Sequence, residues 1–393
     1  MQTSRTLFNH VTATLSELDL KMVRAIPPGG NWRNIPPQIP SKRLEQIRRG
    51  LKGGSRSTYY GRLSWEKPSY TISTYFNRPG NGCFIHPSQD RLVSLREGAR
   101  LQSFPDRYRF LGPKTSIYKQ IGNAVPPLLV RAIGSVIPRT TVVDIFCGAG
   151  GLTEGLRMSG HTPILSVDID RYCTQTYVTN HTNGSRKPEV LTEDLRDNSV
   201  RSLIEKRVDS LLDGRELGIV AGGPPCQGFS EAGNRRSLSD PRNLLYLHFV
   251  DMVRKLRPRY VVMEQVPGVL TLAEGRAFHD IGRKLSSLDY VIKAKVMKAE
   301  EYGVPQRRRR LIIVGTRAGE KAVDFPSPLF GAGNIGLPPP LTVHDAISDL
   351  PPLAAGGGAE ACEYTPHENL PPYQYWSMGI ISFDRMYSLY SSG

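Results

Sequence analysis

Short β-branched apolar runs alternate with helical stretches between residues 140 and 317, and several of those runs end in functional-looking or glycine-rich segments. TTVVDIF at 140–146, ILSVDID at 164–170, LGIVAGG at 217–223, YVVMEQV at 260–266 and RRLIIVGTR at 309–317 read as strands. Residues 152–158, 171–180 and 244–258 read as helices, the last stopping at Pro258. This alternation predicts a doubly wound α/β sheet, whose ligands bind at the carboxyl ends of the strands. The stretch YKQIGNAVPPLLVRAIGSVI at 118–137 reads as a turn followed by a helix starting near Pro126 or Pro127. Only Pro138, Arg139 and Thr140 separate it from the first strand, so that helix is expected to pack on the sheet. Residues 26–40 and 326–373 are rich in Pro and Gly and predict irregular structure.

The 393 residues leave room for two or three domains. Their charge is unevenly placed. Residues 1–140 hold 22 Lys/Arg against 7 Asp/Glu, whereas residues 141–393 hold 29 of each. An excess confined to one third of a chain is either a solvated basic surface or a polyanion-binding face. No apolar run is long enough to span a membrane, and the first 25 residues lack the apolar core of a signal peptide. The five cysteines are scattered without metal-ligand spacing. These features predict a cytoplasmic protein in which any important cysteine acts as a thiol.

The first strand runs into Asp144-Ile145-Phe146-Cys147-Gly148-Ala149-Gly150-Gly151. Glycines there let the backbone approach a ligand closely, and the following helix presents its first amides. Asp168 ends the second strand, where an acidic residue suits ribose hydroxyls. Asp194 stands near a third strand end, suited to accept from an adenine amino group. Together these suit an adenosine, although the glycine loop alone is equally readable as a structural turn. It has neither the spaced GxGxxG of dinucleotide folds nor a P-loop lysine.

GGPPCQGFS at 222–230 places Cys226 on a tight loop after a strand. A lone cysteine is usually a small buried hydrophobe, but one held in a Pro-Pro-Cys-Gln-Gly turn suits a nucleophilic thiolate. Glu264 follows four apolar residues at the next strand end, as either a surface carboxylate or a partly buried proton donor. In the run Arg307 to Arg310, strand alternation places Arg308 and Arg310 on one face.

Taken together, these residues resemble the C5-cytosine DNA methyltransferases over most of the chain. DIFCGAGG is similar to the family's turn for S-adenosyl-L-methionine (AdoMet), and GGPPCQGFS to its catalytic Pro-Cys loop. Glu264 matches the Glu of its Glu-Asn-Val motif, and Gln306, Arg308 and Arg310 match Gln-x-Arg-x-Arg. YKQIGNAV at 118–125 resembles the motif that closes the AdoMet pocket, and RLVSLRE at 91–97 with LQSFPD resembles the one that supports target recognition. The resemblance implies a Rossmann-like AdoMet-dependent methyltransferase sheet in residues 113–325. It implies a smaller, irregular target-recognition domain made from 1–112 and 326–393. Cys226, Glu264, Arg308 and Arg310 would carry the chemistry. Phe146, Gly148, Gly150, Asp168, Ile169, Asp194, Pro225, Leu245, Asn123 and Ala124 would contact AdoMet, with no metal.

Two departures stand out. Gln265 replaces the family Asn that helps hold the Pro-Cys loop. The last two motifs also precede the first, so the sequence looks circularly permuted, with the break inside the recognition region and both termini in the small domain. The implied reaction is methyl transfer to C5 of a flipped cytosine in duplex DNA, by a monomer, in a restriction-modification setting beside an endonuclease. An RNA (tRNA) cytosine-5 methyltransferase and a non-catalytic nucleic-acid-binding relative are the rival readings. Asn31 to Asn34, Arg56 to Arg62 and Tyr373 to Arg385 are the candidate base readers, and the basic first third is expected to line a DNA cleft.

Overall fold

The computed structural model describes residues 5–50, 58–182, 187–225, 244–331, 333 and 336–392. Its strands are β1 (Arg5–Val11), β2 (Gly61–Arg62), β3 (Cys83–Ile85), β4 (Thr141–Ile145), β5 (Thr162–Asp168), β6 (Glu189–Thr192), β7 (Ile219–Gly222), β8 (Tyr260–Gln265), β9 (Tyr290–Lys298), β10 (Arg309–Arg317) and β11 (Gly358–Tyr364). The chain forms two units. One comprises Met1–Asn123, Glu300–Arg308 and Leu329–Gly393, and the other Ala124–Ala299 and Arg309–Pro328.

The second unit is built on a seven-stranded sheet in the order β6-β5-β4-β7-β8-β10-β9. The central strands are apolar on both faces: Val142, Val143 and Ile145 in β4 and Val220 and Ala221 in β7 are all buried. The first five strands in that order are parallel, and β10 runs antiparallel to both β8 and β9. The chain moves outward from β4 through β5 to β6, then returns to β7 on the other side of β4. That reversal leaves a crevice at the carboxyl ends of β4 and β7.

The helices expected near 152–158, 171–180 and 244–258 are present as Gly151–Met158, Arg171–His181 and Leu245–Leu256. Sequence reading missed the helices Asn198–Leu212 and Arg276–Ser286 and the strand β9. In β9 lysines alternate irregularly with apolar residues of mixed burial, which weakens the period-2 signal of an edge strand.

Residues 118–123, read as a turn, are helical and belong to the helix Lys114–Asn123. Gly122 misled because it is not a turn glycine. A Cβ there would lie 2.4 Å from the Ser73 carbonyl carbon, so glycine permits two backbones to touch within the first unit. The next helix does start at Pro127 (Pro127–Gly134) and packs on Gly151–Met158. Gly155 makes this contact possible, since a Cβ there would meet the Pro127 carbonyl oxygen and Val130 Cβ at 2.4 Å each.

The first unit is tied together by an antiparallel ladder of β1 with β11, running from Arg5 opposite Tyr364 to Val11 opposite Gly358. Its interior is full of arginine. Arg91 grips Glu97 through two contacts of 2.8 and 2.7 Å, and Glu97 also accepts the Ser94 amide at 2.6 Å as a helix cap. Burial works against the Glu97 charge, but the Arg91 guanidinium outweighs it and holds the carboxyl well below its ordinary range. Arg96 donates to the carbonyls of Phe8, Pro105 and Tyr108. Arg100 reaches Asp106 at 2.8 and 2.7 Å and Asp349 at 2.5 Å. Arg62 donates to the carbonyls of Val23, Ile26, His86 and Gln89 and to Asp90.

The expectation that the basic third lines a DNA cleft is therefore corrected in part. Arg62, Arg91, Arg96 and Arg100 are internal and cannot meet phosphate. The C-terminal stretch is corrected likewise: Tyr373, Gln374, Trp376 and Phe383 are buried. Tyr373 donates to the Arg100 carbonyl at 2.6 Å, and Gln374 to His344 and Ser348. Replacing Arg100 by Met would leave Asp106 and Asp349 uncompensated in the interior. The expected loss in urea unfolding free energy is roughly 3–5 kcal/mol; a loss below about 1 kcal/mol would show that the pair is not what holds this region.

Candidate active site

The turn after β4 is left-handed at three points: Phe146 (φ 59°), Gly148 (φ 53°) and Gly150 (φ 89°). Its shape is fixed by hydrogen bonds to the neighbouring strand. The Cys147 amide donates to the Val167 carbonyl at 3.1 Å, and the Gly148 amide donates to Asp168 Oδ2 at 2.9 Å. The other Asp168 oxygen accepts the Asp170 amide at 2.9 Å. Burial pushes the Asp168 carboxyl above its ordinary range, and these amide bonds oppose the rise. A Cβ built on Gly148 meets nothing within 4 Å, so the turn borders open space. Ile169, the next residue along, is 61% exposed, an unusual position for an isoleucine at a strand end. Phe146 is half-buried against the sheet core.

On the other side of the crevice, β7 ends at Gly222 and the chain continues through Gly223, Pro224 and Pro225. Cys226 lies outside the described residues, as does Arg56 among the candidate base readers. Glu264 and Gln265 end β8. A Cβ on Gly223 would come within 3.1 Å of Glu264 Oε2, so glycine lets the carboxylate lie against the start of the loop. The other oxygen, Oε1, is 2.6 Å from Arg310 Nε. Both side chains are mostly buried, and burial lowers the Arg310 pKa against the pull of Glu264.

Gln265 is 1% exposed and donates from Nε2 to the Pro224 carbonyl at 2.9 Å. The residue whose departure from the family pattern put the loop's support in question thus makes a direct bond to it. Its length is the reason: the extra methylene still lets the amide reach a backbone carbonyl.

Arg308 is corrected. It precedes β10, belongs to the first unit and is 1% exposed. Its guanidinium donates to the carbonyls of Ile72 at 3.0 Å and Gly122 at 2.8 Å. Strand alternation failed to place it because the strand begins one residue later, at Arg309. Gln306 is buried beside it, bonding the Ile72 amide and the Leu101 carbonyl.

Asp194 lies two residues past β6, and Arg196 binds both its oxygens at 2.6–3.0 Å, lowering its pKa. Pro225 is exposed, and Leu245 is half-buried at the start of its helix. Asn123 closes a helix of the first unit, while Ala124 begins the second. Asn31, Arg33 and Asn34 remain at the surface around the one-turn helix Trp32–Asn34. Sequence reading missed Thr153, which donates to buried Asp144, and Tyr177, which donates to Thr153. A Thr two residues into the helix after a glycine turn was the only signal for them.

The model of the family described as C-5 cytosine-specific DNA methylase matches residues 14–139 and 140–353. Among curated relatives, the type II methyltransferase M1.HphI of Haemophilus parahaemolyticus is 36% identical over 218 residues, covering 55% of this chain and 54% of that protein. M.DdeI of Desulfomicrobium norvegicum is 35% identical over 230 residues, covering 57% and 51%. M.AquIA of a Picosynechococcus species is 34% identical over 229 residues, covering 54% and 89%. The chain spans about half the length of the first two. With most of its length matched by the family model, and with the glycine turn, the Pro-Pro loop and the Glu264–Arg310 pair gathered at one sheet edge, the chain belongs to the C-5 cytosine-specific DNA methylase family.

Proposed function

We propose that the chain methylates C5 of cytosine in duplex DNA, with AdoMet as donor, and that it serves beside a restriction endonuclease. The observation that carries this is the Glu264 carboxylate, held at 2.6 Å by Arg310 and set against Gly223 two residues before the Pro-Cys step. AdoMet supplies an electrophilic methyl group. Gly148, Asp168 and Ile169 fit its adenosine, with Phe146, Gly150, Asp194, Pro225, Leu245, Asn123 and Ala124 as further contacts.

Cytosine C5 is a poor nucleophile until C6 carries an adduct. The Cys226 thiolate attacks C6, and the ring electrons shift toward C5. Glu264 hydrogen-bonds N3 and stabilises the charge that develops there. Arg310 orients Glu264 and lies near O2. After C5 gains the methyl group it loses its proton, and the thiolate is expelled as the C5–C6 double bond returns. The base is taken out of the duplex first, because the ring faces are otherwise stacked.

An RNA cytosine methyltransferase using a second cysteine for release finds little support. Cys147, in the turn, is buried and its thiol is pushed well up by burial, which disfavours the reactive thiolate. Incubation with labelled AdoMet and either duplex DNA or tRNA should place label in DNA, and Cys226→Ser should abolish it. Label in tRNA alone would overturn the reading.

Gln265→Leu removes the donor to Pro224 and should cost about 1–3 kcal/mol of stability and reduce turnover. Gln265→Asn should fall between. Undiminished turnover in Gln265→Leu would show that the loop is held elsewhere.

We also infer that the family order has been circularly permuted. The two family matches abut at residues 139 and 140, just before β4, and the β1–β11 ladder joins both ends of the chain within the first unit. Both support it. A version with the ends joined and the chain reopened between Pro138 and Thr140 should retain methylation; failure of a soluble, folded product to methylate would count against the placement of the break.

A further inference from the structure

Arg62, Arg91 and Arg100 each hold a carboxylate in the interior of the first unit. Arg33, Lys42 and Arg43 are exposed, and among the described residues none of the three pairs with one. Residues 21–49 hold seven Lys/Arg against a single acid, Glu45, which lies 3.9 Å from Arg49. An excess of this kind is ordinarily a solvated face of mobile side chains. Here the backbone beneath it is fixed, and two of the guanidinium groups are seated on aromatic rings.

The loop from Pro27 to Asn34 runs beside the stretch from Tyr59 to Leu63. The Trp32 amide donates to the Tyr59 carbonyl at 3.1 Å, and the Arg62 amide donates to the Gly30 carbonyl at 3.0 Å. Behind them the buried Arg62 guanidinium donates to the Val23 and Ile26 carbonyls at 2.8 and 2.6 Å, fixing the chain that leads into the loop. The helix Lys42–Arg49 buries Leu44 and Ile47, and its Arg48 donates to the Ile35 carbonyl at 3.3 Å. On this support Arg33 Cζ lies 5.2 Å from the centre of the Trp32 ring, and Arg43 Cζ lies 5.4 Å from the centre of the Tyr59 ring. Stacking on a ring restrains a long side chain while its in-plane N–H groups stay available at the edge. The neighbouring amides are spent on the turn itself. Asn31 Oδ1 accepts the Arg33 amide at 3.0 Å, and Asn34 Oδ1 accepts the Asn31 amide at 2.9 Å.

We propose that Arg33 and Arg43, seated on Trp32 and Tyr59, clamp backbone phosphates of the duplex and read no base. The inference rests on the functional reading above, which makes duplex DNA the substrate. With the Asn31 and Asn34 carbonyl oxygens turned into the backbone, the surface offers positive charge and N–H donors. That matches the uniformly accepting oxygens of a phosphate rather than the mixed donor and acceptor edge of a base pair. Phosphate contacts fix register and orientation but carry no sequence information. Arg33 and Arg43 therefore set how tightly DNA is held and how steeply salt weakens it, while sequence is read by other side chains. Asn31 and Asn34, first taken as base readers, are positioning residues for the turn that carries Arg33.

Fluorescence anisotropy with a labelled DNA duplex, titrated with the full chain between about 50 and about 200 mM salt, tests this. Arg33→Gln and Arg43→Gln should each weaken binding and reduce the slope of log affinity against log salt by about 1, and the double variant by about 2. Each single variant's deficit should accordingly shrink about threefold across that salt range. Arg33→Lys keeps the charge and should keep the slope. Genomic DNA methylated by the double variant, mapped at single-base resolution, should carry the wild-type sequence pattern at lower yield. An unchanged slope in the double variant overturns the proposal, and so does a relaxed or altered methylation pattern, which would make these arginines base readers. A wild-type chain that methylates tRNA and not DNA would instead overturn the functional reading.

Discussion

A buried arginine cannot give up its proton, so a fold that encloses one must supply partners from wherever the chain can bring them. That obligation organises the first unit. Arg62, Arg91, Arg96, Arg100 and Arg308 together draw on carbonyls and carboxylates from at least six separate stretches of sequence. The strands and helices of this unit are short and joined by many loops, which a compact apolar core alone would not fix. Guanidinium groups do so directionally, since each nitrogen accepts only certain geometries. A similar pairing occurs in the second unit, where Arg310 lies 2.6 Å from Glu264 at the end of β8. There the partner is the carboxylate proposed to hydrogen-bond the base.

This explains which parts of the molecule were legible from the sequence. The parallel strands and the glycine turn announce themselves locally, through β-branched runs that end in glycine. Glu264 was legible because four apolar residues lead into it. The buried arginines were not, because a lysine or arginine count says nothing of which side chains face inward. Arg100 needs Asp349 as well as Asp106, a pairing across 249 residues that no local window contains. Arg308 and Arg310 look equivalent in a four-arginine run, yet one binds backbone in the first unit and the other binds Glu264 in the second. Aromatic residues near the C-terminus suggested a nucleic-acid surface, whereas Tyr373 and Trp376 are core.

Gln265 shows a milder form of the same limit. Its difference from the family residue is visible in the sequence, but the outcome depends on where the Pro224 carbonyl sits. Asp144 and Thr153, nine residues apart, were within local reach. Their bond was missed because a buried aspartate near a strand end is indistinguishable, without its surroundings, from one turned toward a ligand.

The β1–β11 ladder has a consequence for how the chain is made. During synthesis β1 emerges early and its partner strand only after some 350 further residues. At about 5–20 residues per second, that separation is on the order of 20–70 s. For that interval β1 has open hydrogen-bonding edges, the kind that recruit other chains. The strands β4 to β10 have all emerged by then, so the seven-stranded sheet can assemble before the β1–β11 ladder closes. The final loop closure itself costs little extra for its length, since doubling a loop adds only about 0.6 kcal/mol. The penalty of this chain order is paid in time spent with an unpaired edge, and it falls most heavily at high expression.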